Sequence, residues 1–227
     1  MTVLTLFDEE PLAIVGDVHG CPAPLQLALA DLEELDRRVI FVGDYVNRGP
    51  DSRSVLALLA AAMKRMGDRL VLLRGNHDVA ILDFLLAGRQ DAFLRHRGVT
   101  TVHSYLPRPS ADVLEDFRRT FPADHLAVLQ STVLCAEGAG VLVAHAGYNP
   151  QRPTSRTEAD LTTGSWAELI HCEDPPQPLT VVGHYVQAAG LPFVTGPLIG
   201  IDTGCGSILG APLTAILLPE RTFRAYR

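Results

Sequence analysis

The strongest constraint on the fold is a pattern that occurs three times in the first third of the chain. A short apolar run leads into a loop in which a glycine precedes a polar residue, and apolar residues at helical spacing follow. The apolar runs cover residues 12–15, 39–42 and 70–73, and the helical stretches cover 23–35, 52–66 and a stretch ending at 86. Short apolar runs that alternate with helices are typical of strands in a parallel sheet. The pattern therefore predicts an α/β fold with the element order βαβαβα.

The polar residue after each glycine is the first indication of function. These residues are Asp17, Asp44 and Asn76. In open parallel sheets, ligands bind where loops leave the carboxyl ends of the strands, and all three residues fall there. His19 lies two positions after Asp17, so the two side chains point the same way on an extended backbone.

Two later histidines follow apolar runs in a similar way. His145 directly follows residues 141–144, and His184 follows residues 180–182 with one glycine between them. A lone residue of this kind is more often a turn cap or a structural histidine. Six of them at the ends of five strands are poorly explained by accident, and carboxylate, amide and imidazole groups all bind divalent metals. The sequence therefore predicts a metal site at the strand ends.

The rest of the chain is predicted to belong to the same domain, which spans residues 1–227, because this length suits one large α/β domain. A mainly helical insert at about 88–130, interrupted by prolines, is expected either to cover the sheet edge or to be an ordinary insert. Residues 149–178 are expected to be rich in loops. Further strands are expected at 132–136, 141–144, 180–182, 197–201 and 214–218, with a turn at 138–140.

Composition excludes several classes of function. The formal charge of −7, without a local basic patch, makes a general nucleic-acid binder an unfavourable interpretation. The N-terminus lacks the basic and apolar regions of a signal peptide, and no apolar run approaches the ~20 residues of a membrane span. The four cysteines are scattered and predict no disulfide framework. We expect a cytoplasmic protein without nucleic-acid or membrane partners.

The motifs around these residues resemble those of a known family. They are GDVHG at 16–20, GDYVNRG at 43–49, RGNHD at 74–78, HAG at 145–147 and GH at 183–184. In this order they resemble the signatures of the calcineurin-like metallophosphoesterases. Within that superfamily they are most similar to the phosphoprotein phosphatase branch and its bacterial relatives, the symmetrical diadenosine tetraphosphatases. The segment IDTGC at 201–205 resembles one that is common in the bacterial members.

The resemblance implies a layered β-sandwich flanked by helices and a centre of two divalent cations. Manganese is the expected metal, with iron or zinc as alternatives. By similarity, one cation is held by Asp17, His19 and Asp44. The second is held by Asp44, Asn76, His145 and His184. Asp44 then bridges the two.

The resemblance also implies the residues that act on the substrate. Arg48, Asn76 and Arg74 are expected at the substrate phosphate, although Arg74 can equally orient its loop. Arginine suits this role because its guanidinium group can bind phosphate oxygens in pairs. The family commonly has a second phosphate-binding arginine, for which Arg152 and Arg156 are candidates.

His77 resembles the general acid of the family, which protonates the leaving group. The family pattern places an aspartate at position 47, but this chain has Asn47. An amide carries no charge, so we expect a lower pKa for His77 and slower turnover of substrates with poor leaving groups. The remaining histidines, at 96, 103, 125 and 171, have no motif partners and are expected to be solvated or structural.

These features predict a metal-dependent phosphoesterase. A protein serine/threonine phosphatase that acts on phosphorylated proteins is the first choice. A hydrolase of diadenosine tetraphosphate or a related small phosphoanhydride is the alternative, which Asn47 favours. A non-catalytic phospholigand sensor is an alternative from another class, and the acidic composition weakens a nuclease interpretation.

Overall fold

The alternation of apolar side chains explains how the first strands pack. The computed structural model describes residues 3–7, 10–106, 108, 112–138 and 140–227. In strand β2 (Leu12–Val15), Ile14 contributes to one apolar cluster, while Ala13 and Val15 contribute to another on the opposite face. Because side chains alternate across a strand, a strand that is apolar at every position is buried on both faces.

Two sheets pack against each other. In the described part of the chain, the first sheet has the order β11-β10-β2-β3-β4, and the second has the order β1-β5-β6-β7-β9-β8. Besides β2, the strands are β1 Val3–Thr5, β3 Arg38–Phe41, β4 Leu70–Leu72, β5 Cys135–Gly138, β6 Val141–Ala144, β7 Leu179–Val182, β8 Phe193–Val194, β9 Leu198–Gly200, β10 Leu213–Leu218 and β11 Thr222–Tyr226. The parallel strands are β2, β3 and β4 in the first sheet and β6, β7 and β9 in the second.

Helices cover the outer faces of both sheets. They are α1 Pro22–Glu33, α2 Ser52–Met66, α3 Asn76–Ala87, α4 Gln90–Arg95, α5 Val99–Tyr105, α6 Val113–Thr120, α7 Ala123–Gln130, α8 Glu158–Thr162 and α9 Trp166–Ile170. Helix α2 begins as expected, because the side chain of Asp51 accepts a hydrogen bond from the Ser54 amide. The first sheet packs on the larger apolar cluster, which includes α1 and α2, and α8 and α9 contribute to a separate cluster on the second sheet.

The predicted fold class is confirmed: this is an α/β sandwich with helices outside. The predicted βαβαβα order is present, and residues 88–130 contain helices α4 to α7. The segment 149–178, predicted to be loops, also contains the short helices α8 and α9, which Thr157 and Ser165 cap. The expected helix breaks at Pro107 and Pro109, and position 139 in the expected 138–140 turn, lie outside the described residues. Among the described helices, none is both long and apolar enough to cross a bilayer.

Candidate two-metal site

The strands bring the predicted metal ligands to one edge of the sandwich. Asp17 and Asp44 follow β2 and β3, and Asn76 is the first residue of α3, after β4. In the second sheet, His145 follows β6 and His184 follows β7. All five strands are parallel to a neighbour within their sheet. Six side chains that are far apart in sequence therefore meet at the carboxyl ends of the strands.

Asp17, His19 and Asp44 form the first group. The His19 Nε2 atom lies 3.5 Å from Asp44 Oδ2 and 3.8 Å from Asp17 Oδ2, and all three side chains are buried. His77 Nε2 also lies 3.8 Å from Asp44 Oδ2. The geometry thus allows either Asp17 or His77 beside His19 and Asp44, and the assignment of Asp17 to this metal stays a prediction.

Asp44, Asn76, His145 and His184 form the second group. Asn76 Oδ1 lies 3.0 Å from both His145 Nε2 and His184 Nδ1, and these two nitrogens are 3.2 Å apart. Asp44 Oδ2 lies 3.4 Å from His145 Nε2. The same carboxylate oxygen therefore approaches both groups, as a bridging ligand would.

The hydrogen bonds of the two buried histidines suit metal binding. His19 Nδ1 lies 3.2 Å from the carbonyl oxygen of Val46, and His145 Nδ1 lies 3.0 Å from that of Val42. A carbonyl accepts only from a protonated nitrogen, so each of these rings in its neutral form has its lone pair on Nε2, the atom that faces the other ligands. Among the described side chains, His19 Nε2 is one of three buried polar atoms without a hydrogen-bond partner. An unpaired lone pair beside two carboxylates fits a divalent metal.

The electrostatics of the site depend on Asp44. Burial opposes its ionisation, but His145, His77 and His19 surround the carboxylate and hold its pKa well below the usual value. Burial also disfavours a charged His145, yet Asp44 raises the pKa of His145 to about 9. Burial lowers the pKa of His19 to about 4. An ionised Asp44 beside a neutral His19 is the state that binds a metal, whereas His145 would release a proton when it binds its cation.

The loops that carry the predicted metal ligands also have an unusual backbone conformation. Several non-glycine residues of the described chain have positive φ angles, and most of these belong to this site: His19 at 43°, Asp44 at 56°, Asn47 at 70°, Arg48 at 64° and His184 at 62°. Left-handed conformations are unfavourable for residues with a Cβ atom, and they persist where the surrounding structure imposes them. Their concentration here indicates that the loops are held in shape for a function.

Glycines let the loops approach one another. A Cβ atom on Gly75 would lie 2.8 Å from Asp44 Cγ, and one on Gly183 would lie 3.1 Å from Asp17 Cγ. Asp78 connects two of the loops, because its carboxylate accepts hydrogen bonds from the amides of Asp44, Tyr45 and Gly75 at 2.8–3.1 Å. These contacts explain why the motifs combine glycine with a buried aspartate.

His77, Asn47 and Arg48 lie together next to the ligands. Asn47 Nδ2 is 3.0 Å from His77 Nδ1, and Arg48 Nη2 is 3.4 Å from His77 Nε2. Burial lowers the pKa of His77 to about 2, and the nearby Asp44 only partly opposes this. Burial is the largest cause of this low pKa, so the effect expected from Asn47 stays a prediction.

The other predicted arginines have partners elsewhere. Arg74 donates to Thr132 and pairs with Glu158 at 3.1 Å. Arg152 pairs with Asp160 at 2.8 Å, and Arg156 pairs with Glu137 at 2.7 Å. These contacts favour loop-orienting roles, so a phosphate role for Arg74 and a second phosphate-binding arginine at 152 or 156 stay predictions.

Two residues at the site were not predicted. Asp202 follows β9 and is 1% exposed, its Oδ2 atom has no partner among the described residues, and burial raises its pKa to about 6. Its position after an apolar strand is the signal that identified Asp44, and it could have been used here. His96 was expected to be solvated or structural, but its ring packs on His77 with the centroids 4.5 Å apart. His96 belongs to the insert, which therefore contributes to the site.

The four cysteines lie in different parts of the fold. Cys21, Cys135, Cys172 and Cys205 are all free thiols in the structure. Two of them, Cys21 and Cys205, lie near the loop of His19, and each has its sulfur 3.5 Å from a backbone carbonyl oxygen. They contribute to packing around that loop.

Comparison with known proteins agrees with this geometry. A symmetrical bis(5'-nucleosyl)-tetraphosphatase of Bordetella pertussis is 34% identical over 148 residues, which cover 64% of this chain and 46% of the relative. The match thus spans less than half of that relative's length. A bis(5'-nucleosyl)-tetraphosphatase PrpE of Oceanobacillus iheyensis, described as asymmetrical, is 27% identical over 239 residues. The aligned region covers 92% of this chain and 89% of the relative.

A solved structure with a provisional assignment as a diadenosine tetraphosphatase has the same fold. It superposes on this protein with a TM-score of 0.68 at 25% sequence identity. The superposed region covers 98% of this chain and 96% of the chain in the solved structure. The relatives are of the bacterial kind that the motifs resemble. The family model of the calcineurin-like phosphoesterases matches residues 10–225, almost the whole chain. The chain therefore belongs to the calcineurin-like phosphoesterase family.

Proposed function

We propose that this chain hydrolyses phosphoanhydride bonds in small polyphosphate substrates of the dinucleoside tetraphosphate class. The names of the relatives support this class, since two kinds of bis(5'-nucleosyl)-tetraphosphatase are among them. They favour the alternative from the sequence over a protein serine/threonine phosphatase, which the comparisons leave unconfirmed.

The contact between Asn47 and His77 is the observation that carries the proposal. A carboxylate at this position would favour a protonated imidazole, whereas the amide adds no negative charge. Burial lowers the pKa of His77 to about 2, so at neutral pH the ring carries no extra proton to donate. Ester hydrolysis releases an alkoxide that needs a proton, but anhydride hydrolysis releases a phosphate, which is a good leaving group. The site therefore suits anhydrides better than alkyl phosphate esters.

Two divalent cations fit the donor atoms, with Asp17, His19 and Asp44 as proposed ligands of one and Asp44, Asn76, His145 and His184 as those of the other. Such a pair supplies an activated water and charge compensation at the phosphoryl oxygens. Oxygen and imidazole ligands suit manganese, the metal that we propose, and would also accept iron or zinc.

Arg48 is proposed to bind the substrate phosphate. Arg48 is a half-buried residue, and its guanidinium group donates to Ser207 Oγ at 2.5 Å. None of the described carboxylates forms an ion pair with it. A positioned arginine without an acidic partner keeps its charge available for phosphate oxygens.

The test compares three substrates with manganese present: diadenosine tetraphosphate, a phosphoserine peptide and 4-nitrophenyl phosphate. We expect the highest kcat/KM for diadenosine tetraphosphate and the lowest for the peptide, with Asp44→Asn inactive on all three. Faster release of phosphate from the peptide would instead favour the protein phosphatase. Binding of the nucleotide without hydrolysis of any substrate would favour a phospholigand sensor.

A further inference from the structure

Three consecutive basic residues, Arg95, His96 and Arg97, form the longest run of basic side chains in the sequence. They lie where α4 ends, in the turn that leads to α5, within the helical insert. The formal charge of the chain is −7, so this run is an exception to its composition. A cationic turn in an acidic protein attracts anions where the fold places it next to a binding site.

The apolar core of the insert fixes the position of this turn. Phe93 is buried in α4, and its ring stacks on that of Phe84 in α3 with the centroids 5.0 Å apart. The chain then folds back over the same ring, because a Cβ atom on Gly98 would lie 2.6 Å from it. The Gly98 amide also donates to the carbonyl oxygen of Phe93 at 2.9 Å. The turn is therefore held in place before any ligand binds.

His96 reaches the edge of the two-metal site from this turn. It is half-buried, and its ring packs on that of His77 with the centroids 4.5 Å apart. None of the described residues forms a hydrogen bond with its ring nitrogens. Burial lowers the pKa of His96, Asp44 opposes this effect, and Arg48 and Arg95 lower the pKa further. Such effects weaken with distance, so Arg48 and Arg95 both lie near the His96 ring.

Arg95 differs from most arginines of the chain in having no acidic partner. Ten arginines in the described part of the chain form ion pairs with carboxylates. Arg74, Arg152 and Arg156 are among these ten. Arg95 is exposed and, like Arg48, pairs with none of the described carboxylates. The charge of Arg95 is therefore available to an anion.

A dinucleoside polyphosphate needs positive groups beyond those at the reacting phosphate. Hydrolysis takes place at one phosphorus atom, so the metals and Arg48 are required at that group, and the other phosphates extend away from it. An acidic surface repels these phosphates unless cations or hydrogen-bond donors line their path. Beside Arg48, the described residues that offer an open donor and a free charge are His96 and Arg95.

We propose that His96 and Arg95 form a second phosphate subsite, which binds the part of the polyphosphate chain next to the group held at the metals. The Arg95 guanidinium provides charge and paired donors, and a ring N–H of His96 donates to a phosphate oxygen. The subsite deepens the proposed function and rests on it, because it takes a polyphosphate as the substrate. A phosphate monoester fills only the position at the metals, so the subsite favours polyphosphates over monoesters.

The kinetic test measures the ratio of kcat/KM for diadenosine tetraphosphate to that for 4-nitrophenyl phosphate, in which effects common to both substrates cancel. Arg95→Gln should lower this ratio about tenfold, since it removes a hydrogen bond from a charged group. His96→Ala should also lower the ratio, and His96→Gln, whose amide can still donate, should keep most of it.

Arg221→Gln is the matched control for Arg95→Gln. Arg221 is also exposed and pairs with none of the described carboxylates. It follows β10, whose last residue, Leu218, pairs with Leu12 at the start of β2, so Arg221 lies at the end of the sheet opposite to the site. Its ratio should stay within about twofold of the wild type.

A binding measurement separates the subsite from the proposed function. The probe is diadenosine tetraphosphate with methylene groups in place of the bridging oxygens between phosphates. It is titrated calorimetrically into the manganese-loaded protein, with equal free manganese in cell and syringe. Arg95→Gln should weaken its binding about tenfold and Arg221→Gln by less than about twofold. This result without hydrolysis of any dinucleotide would support the subsite and refute the proposed hydrolase.

Three results would overturn the subsite even if dinucleotides are hydrolysed. One is a wild-type protein that does not bind the probe. Another is an equal loss in Arg95→Gln and Arg221→Gln, which would indicate a general electrostatic attraction. The third is a folded Arg95→Gln protein with the wild-type ratio and affinity. An equal loss in His96→Ala and His96→Gln, or no loss in either, would remove His96 from the subsite.

Discussion

Replacing Gly75 with alanine should displace the carboxylate that both metals share. Gly75 has an extended backbone, with φ −94° and ψ 169°, which alanine adopts freely, so the effect comes from contacts alone. The added Cβ atom would lie 2.8 Å from Asp44 Cγ and 2.5 Å from the Asp44 backbone nitrogen. Ordinary contact begins at 3.4 Å, so Cγ alone would have to move by about 0.6 Å (3.4 − 2.8), and Asp44 Oδ1, the atom nearest to the added Cβ, would have to move further.

The size of the effect follows from this displacement. A misplacement of ~1 Å can reduce a rate about 10²-fold, so a shift of this size should lower kcat/KM by roughly 10- to 100-fold. Overpacking of this kind also destabilises by about 1–3 kcal/mol, and each kcal/mol lowers Tm by roughly 2–4 °C in a chain of this length. The assay combines turnover of 4-nitrophenyl phosphate with manganese, metal content after gel filtration, and a thermal melt.

Two further variants separate this explanation from a general loss of folding. Gly196→Ala is the matched control, because a Cβ atom there meets nothing within 4 Å, and it should behave as the wild type. Gly183→Ala would press on Asp17 rather than on Asp44, so it should weaken one metal more than the other. A Gly75→Ala protein that retained two metals and full activity would refute the proposed role of Asp44 as a bridge.

Three other predictions concern single polar side chains. Arg48→Lys should lower kcat/KM by about tenfold or more, since an ammonium group cannot bind two phosphate oxygens side by side; unchanged kinetics would argue against this role. Asp202→Asn should stabilise the protein at pH 8 in excess chelator by about 1–3 kcal/mol, measured by urea unfolding. Burial raises the pKa of Asp202 to about 6, above the value in the unfolded chain. The protonated side chain is therefore accommodated at low pH, and the wild-type protein loses stability as the pH rises through 6 and the buried side chain ionises. Asp160→Asn should cost about 1–2 kcal/mol at pH 7, because the Asp160 carboxylate accepts from Asn149, Arg152, Ser155 and Thr157. Hydrogen bonds from Ser155 and Thr157 lower the pKa of Asp160 to about 2, so this difference should shrink as the pH falls from 4 toward 2, and a constant difference would contradict the assignment.

The parts of the fold that sequence could predict are those with strong local signals. The parallel strands are apolar at nearly every position and end in a polar residue, so β2, β3 and β4 were located to within a residue or so. The short edge strands β1, β8 and β11 were not predicted. Val3–Thr5 and Phe193–Val194 have three and two residues, and Thr222–Tyr226 is mostly exposed, so none has the pattern of a buried strand.

Some residues of the site could be predicted from the sequence in the same way, and others could not. The six predicted metal ligands follow five strands, and the topology brings the ends of these strands together, so Asp44 and His145 could be paired without knowing any contact. The contact of His96 with His77 and that of Thr101 with Asn47 depend on how the helical insert packs against the sheet. Nothing in the sequence around His96 or Thr101 indicates this packing. Asp202 is intermediate, because its strand was predicted but a lone aspartate after a strand is usually a turn cap.

The central claim is that two cations share the Asp44 carboxylate. The most direct measurement is anomalous diffraction at the manganese edge from crystals of the manganese-loaded protein. The account predicts two anomalous peaks about 3.5–4 Å apart on either side of Asp44, one near His19 and the other between His145 and His184. Absence of both peaks, or a single peak that does not contact Asp44, would contradict it.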